Sequence, residues 1–266
     1  MNMYLHELRS MRKSAMIWVS SMIAIAALYL SLYPGLANDA AGFKKMMGGY
    51  PPSVRAMLGV SLDSVTSLSG FYSMVITFVV LCGAIQAMNL GVSVLSKETR
   101  ERTADFLLVK PVSRAAIVNA KLLASLTVLL ATDILYGAAA SVLVSIVKQS
   151  DYSAKVFFML NLTLLFIQLI FFAIGLGVSV FFQKIKSVLP ISLGTVFGFY
   201  IVGALIATDK TDGSRFISPF QYFDNSYIIK NSSYEAPYLI AGAVIVVAAI
   251  AAAYFIYCRK DIHAVS

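Results

Sequence analysis

One carboxylate stands inside an otherwise apolar run: Asp133, about midway along residues 122–147. A charge at the centre of a membrane helix costs roughly 2.5–3.5 kcal/mol to insert, so Asp133 must face protein or water, or carry a proton. Its chemistry is that of a substrate pathway or proton relay, or else of a packing contact hydrogen-bonded to a Ser, Thr or Gln of a neighbouring helix. Gln86 and Asn89, in residues 68–95, and Gln168, in residues 156–182, are uncharged polar residues in the same setting. They read either as pathway groups or as interhelical hydrogen-bond glue. Gln86, Asn89 and Asp133 form the candidate substrate pathway.

The second constellation suits docking. Residues 97–121, KETRERTADFLLVKPVSRAAIVNAK, hold six of the 21 Lys and Arg residues, yet carry an apolar ridge at Ala104, Leu107, Leu108 and Pro111. That spacing, i, i+3, i+4, i+7, is one face of a helix, and a merely solvated loop needs no such ridge. Thr103 can cap a helical start with Asp105 in its first turn, Pro111 stops that helix, and Ser113 can cap the next. A short rigid helix over about 104–110 is predicted between two long apolar runs.

No other motif points to catalysis. There is no G-x-x-x-x-G-K-[ST] phosphate loop and no H-E-x-x-H metal helix, and His6 and His263 lie near opposite ends of the sequence. Cys82 and Cys258 both fall in apolar runs and suit neither a disulfide framework nor a zinc site. No catalytic residue, metal or cofactor is expected on this chain.

The elements that position these groups follow from composition. The chain is 59% hydrophobic and 13% charged, against about 25% charged in soluble domains, and its mean hydropathy is +0.81. Spans of about 20 apolar residues number six: 15–36, 68–95, 122–147, 156–182, 187–207 and 237–258. The fold class is all-α, a polytopic membrane protein forming a single transmembrane domain over residues 1–266. The net charge of +8 is divided among short connections without an aromatic and basic face, so it suits membrane topology and no nucleic acid. The termini with connections 96–121 and 183–186 hold 13 Lys and Arg in 52 residues; connections 37–67, 148–155 and 208–236 hold eight in 68. The positive-inside rule therefore places both termini in the cytoplasm of a multi-pass cell-membrane protein. The 22 residues of the first run exceed the roughly 7–15 of a cleaved signal.

Tyr4, Leu8 and Met11 share one face of residues 1–14, with His6, Glu7, Arg9, Arg12 and Lys13 elsewhere, which predicts a short amphipathic helix in the membrane surface leading into the first span like an elbow. Connection 208–236 is unusually aromatic, with Phe216, Phe220, Tyr222, Phe223, Tyr227 and Tyr234, and predicts short interfacial or re-entrant helices on the outer face. Residues 37–67 predict a smaller cover there. Asn231-Ser232-Ser233 is a sequon. Gly194 and Gly198, Gly137 and Ser141, and Ala248 and Ala252 are small pairs that permit close helix approach, within one chain or between two.

Three passages together resemble the ABC transporter permeases of the type-two exporter family. They are Glu98 with Arg102-Thr103-x-Asp105-Phe106-Leu107-Leu108, Lys110-Pro111-Val112-Ser113-Arg114 and Lys121-Leu122-Leu123-Ala124; then Ile217 to Asp224, ISPFQYFD; then Tyr257-x-Arg259-Lys260-Asp261-Ile262. Asp105 replaces the usual Glu, and Gln221 stands where Lys or Arg is common. The resemblance implies the type V exporter fold, a dimer with a second permease copy or a similar chain, and a separate ATPase subunit that binds the ATP and magnesium. It also implies that Arg102, Thr103, Asp105, Phe106, Leu107, Leu108, Lys110, Pro111 and Arg114 dock that ATPase through a cytoplasmic coupling helix. The cargo expected is amphipathic or hydrophobic (drug, peptide or lipid-like), since few charges line the spans. The rival readings are an ion- or proton-coupled secondary transporter using Asp133, and a non-transporting membrane sensor or assembly factor.

Overall fold

In the computed structural model the described residues are 3–100, 113–148, 151–182, 185, 187–208 and 212–259. They form an all-helical bundle. In chain order the helices are α1 (Met3–Asn38), α2 (Ala40–Gly48), α3 (Pro52–Met57), α4 (Leu68–Arg100), α5 (Arg114–Val147), α6 (Ala154–Phe181), α7 (Val188–Ile206), two 3-10 turns (Asp212–Ile217 and Pro219–Gln221), α8 (Asn225–Asn231) and α9 (Ala236–Arg259). Six of these, α1, α4, α5, α6, α7 and α9, are long and apolar enough to cross a membrane. Helices suit that solvent because every interior N–H and C=O is satisfied within the segment. Each expected apolar run falls on one of the six helices, and its ends differ from the expected ones mainly where polar turns extend α1, α4 and α5.

The alternation of the six helices puts the start of α1, the end of α4 with the start of α5, the end of α6 with the start of α7, and the end of α9 at one end of the bundle, called the terminal end below. The opposite ends of these helices, with residues 39–67, lie at the far end. Serine and aspartate caps set the helix starts: Ser113 accepts the Ala116 N–H at 3.2 Å, Ser153 that of Val156 at 3.4 Å, and Asp39 that of Gly42 at 3.0 Å. Each satisfies a first-turn donor that the helix leaves open. The expected elbow is not a separate element, because α1 runs unbroken from Met3, and its first turns stack on α5, with Tyr4 hydroxyl 3.0 Å from Thr127 Oγ1.

The core is α4 against α6. In their most apolar stretches 72% and 61% of residues are buried, against 11–22% in the other four long helices. The crossing is made by glycines. A Cβ on Gly91 would lie 2.3 Å from the Phe172 carbonyl oxygen, and one on Gly175 would lie 2.7 Å from that of Met88. Backbone thus meets backbone, the geometry by which lipid-embedded helices gain dispersion contacts. The small pairs singled out from the sequence do not serve this purpose: Gly137, Gly194 and Gly198 meet nothing within 4 Å, and Ser141, Ala248 and Ala252 are exposed. A Gly-x-x-x-Gly spacing permits close approach but does not choose which face a neighbour occupies. Gly91→Val should therefore lower the thermal midpoint of the detergent-purified protein sharply, by an overpacking cost of about 1–3 kcal/mol or more. Gly194→Ala should leave it nearly unchanged; equal effects would show the crossing to be misplaced.

At the far end the short helices are present as expected between α7 and α9, and α2 and α3 add the smaller cover. Phe43 and Met47 of α2 are buried, Phe43 beside Phe71. Arg215 fixes the aromatic connection through two hydrogen bonds to Glu235 at 3.0 and 2.5 Å, another to the Gln221 carbonyl at 3.0 Å, and a stack 4.2 Å from the Tyr238 ring. Tyr234 donates to the Met159 carbonyl at 2.7 Å, and burial pushes its phenol up to about 12.

Candidate functional site

Near the terminal end a cavity of about 410 Å³ opens between α1, α4, α5 and the start of α7. Its polar lining comes from two helical stripes. On α4, Gln86, Asn89, Ser93 and Lys97 recur at steps of three or four and lie on one face; on α1, Glu7, Ser10, Ser14 and Trp18 do the same. Met11, Val128 and Leu189 supply apolar surface between them. A lining of hydroxyls, amides, one acid and one lysine beside an indole offers hydrogen bonds at fixed points on a greasy wall. A pocket of this size and character suits small amphipathic molecules.

Gln86 and Asn89, proposed from the sequence, both belong to this lining. Gln86 is 1% exposed and also ties three helices together: its Nε2 donates to Thr132 Oγ1 at 3.0 Å, and Gln168 Nε2 donates to its Oε1 at 3.4 Å. The glue reading therefore holds for Gln86 and for Gln168. A second buried polar layer lies nearer the far end, where Tyr72 donates to Asn161 Oδ1 at 2.7 Å and its hydroxyl lies 3.1 Å from that of Tyr136. Asp133 lines neither this cavity nor the one at the far end. Both its carboxyl oxygens are shielded and meet no hydrogen-bond donor among the described residues.

The sequence reading missed the charged floor beside the cavity. Glu7 and Lys121 are 5% and 0% exposed, with Nζ and Oε1 3.7 Å apart, and Lys121 also donates to the Val94 carbonyl at 2.8 Å. Lys97 donates to Ser10 Oγ at 2.7 Å. The first turns of α1 are thus bonded to α4 just before the 97–121 segment leaves it and to α5 just after the chain returns. The signal was legible: Glu7 is i+3 from Tyr4 and i−4 from Met11, on the face called apolar. Of the residues expected to dock an ATPase, Arg102, Thr103, Asp105, Phe106, Leu107, Leu108, Lys110 and Pro111 lie outside the described residues, as does the side chain of Arg114.

The described residues thus form six long apolar helices around a central glycine crossing, with a polar cavity at the terminal end. The model of the ABC-2 family transporter protein matches residues 1–262. The chain belongs to that family. No curated protein matches it. As an ABC-2 family protein it is a multi-pass membrane subunit of a transporter, and the family in general works with a partner ATPase and as a pair of permeases.

Proposed function

We propose that this ABC-2 permease exports an amphipathic or hydrophobic molecule from the cytoplasm, driven by a separate ATPase docked on the 97–121 segment. The observation that carries the reading is that one helix, α4, presents the polar stripe of the cavity and then continues into the docking segment. Movement of that segment would act directly on Asn89, Ser93 and Lys97. In this reading the terminal end is cytoplasmic, which agrees with the distribution of Lys and Arg, and two copies or similar chains pair in the manner of a type V exporter. The cavity is then the cargo's entry site.

The test is cargo uptake into inverted vesicles carrying the chain with its ATPase. Uptake should require ATP and both subunits, whereas uptake by the chain alone, driven by an ion gradient, would overturn the reading. Asp133→Asn separates the rival: ATP-driven uptake should persist within about threefold, because a carboxyl off the cavity with no donor among the described residues contributes no contact to lose. Abolition of gradient-driven flux by Asp133→Asn would establish a secondary carrier instead.

A further inference from the structure

A second cavity, about 530 Å³, lies at the far end of the bundle, between α3, α4, α6, α7 and the aromatic connection. Its apolar floor includes Val80 and Ile167, 7% and 1% exposed, with Phe220 and Phe223 at its side. Its wall is fixed in place. Residues 57–67 turn back over the start of α4, where Ser73 donates to the Gly59 carbonyl at 2.9 Å and Tyr200 donates to that of Met57. Gly59 adopts φ 65°, and a Cβ there would lie 2.1 Å from Thr77 Oγ1, so the turn and its close approach both require glycine.

Among the described residues, four charged ones line this cavity: Arg55, Arg215, Asp63 and Asp224. Three are engaged. Arg215 is held by Glu235 and the Gln221 carbonyl, Asp63 lies 3.4 Å from Lys230, and Asp224 accepts the Ser226 N–H at 2.8 Å as the cap of α8. Arg55 is half-buried on α3, and its guanidinium has no hydrogen-bond, ion-pair or ring partner among the described residues. A guanidinium presents a planar fork of donors that matches a carboxylate or phosphate, and leaving such a group half-desolvated without a counter-charge is unfavourable. Apolar floor and unpaired fork together define an amphipathic ligand of one sign.

We propose that the far-end cavity binds an anionic amphipath, its carboxylate or phosphate paired with Arg55 and its chain laid along Val80, Ile167 and Phe220. The ligand comes either from the surrounding lipid or from cargo on its way out; the chemistry is common to both. Binding requires no ATPase, so failure here and failure of the transport reading are separate results.

The probe is dodecyl phosphate, titrated into the full-length chain in dodecyl maltoside and followed by native mass spectrometry. One saturable adduct is expected, weakened at least about tenfold by Arg55→Gln and largely kept by Arg55→Lys, with dodecyltrimethylammonium forming none. Ala207→Trp, which fills the lining while leaving Arg55 intact, should also remove the adduct. Undiminished binding in Arg55→Gln or in Ala207→Trp, or equal binding of the cationic detergent, overturns the site. Loss of co-purified anionic phospholipid in Arg55→Gln with transport intact identifies a resident lipid; reduced ATP-driven flux identifies cargo; no change in either overturns the proposal.

Discussion

Leu107→Asp is expected to separate the chain from its ATPase and to reduce ATP-driven transport by roughly thirtyfold or more, while the bundle itself stays folded. Leu107 is central to the ridge Ala104, Leu107, Leu108 and Pro111 on an otherwise charged segment. A helix that docks by laying an apolar face in a groove concentrates its binding energy in a few such anchors, and truncating one typically costs 2 kcal/mol or more, about thirtyfold in affinity. An aspartate does worse than a truncation, since its charge would be desolvated in the groove. Arg102→Gln should behave differently: rim charges steer encounter, so its effect should fall on the association rate and shrink as salt rises. The measurements are ATPase co-purification and ATP-dependent uptake at two ionic strengths. Retention of both by Leu107→Asp would remove the segment from the role of docking element and leave the coupling to another surface of the terminal end.

The parts of the fold that were legible in the sequence are those that local chemistry decides. Six apolar runs long enough to cross a bilayer became six helices, and Ser113 caps α5 because its hydroxyl reaches an N–H three residues on. The aromatic connection became short helices because Tyr and Phe residues there pack on one another and on α6, as Phe223 and Tyr234 do with each other and with Phe166. What stayed hidden was neighbour choice. In α4 and α6 nearly every position is apolar, so periodicity marks no inward face, and nothing in Gly91 or Gly175 distinguishes them from Gly194 and Gly198 until the helices are assembled. The cavity was half legible. Gln86 and Asn89 stand out as amides in an apolar run, whereas Ser93 and Lys97 gain meaning only as the continuation of their face, and Ser10 and Ser14 only once α1 is placed opposite.

Glu7 tests how tightly that placement is held. Glu7→Gln should destabilise the protein, by up to about 3–5 kcal/mol, the usual range for removing one partner of a buried ion pair, because it takes the Glu7 carboxylate from beside the fully buried ammonium of Lys121. The separation of 3.7 Å makes this a Coulombic contact more than a hydrogen bond, so the neutral isostere should lose nearly all of it. Lys121→Met removes the charge that Glu7 compensates and also the donor to the Val94 carbonyl, and should be costly alone for both reasons. The double variant should be less destabilised than the sum of the two, since two neutral side chains of similar volume at a buried pair are often tolerated. A thermal-midpoint cycle on the four proteins in detergent reads the coupling directly. Strict additivity would mean that the two side chains stabilise the terminal end independently, and that α1 is anchored to α5 by packing and by Tyr4 with Thr127 instead of by charge. A positive coupling carries a functional corollary: because α1 forms one wall of the cavity and the Glu7 contact lies beside the two ends of the proposed docking segment, the singly substituted chains should lose ATP-driven uptake at temperatures where they remain folded, and the double variant should regain part of it.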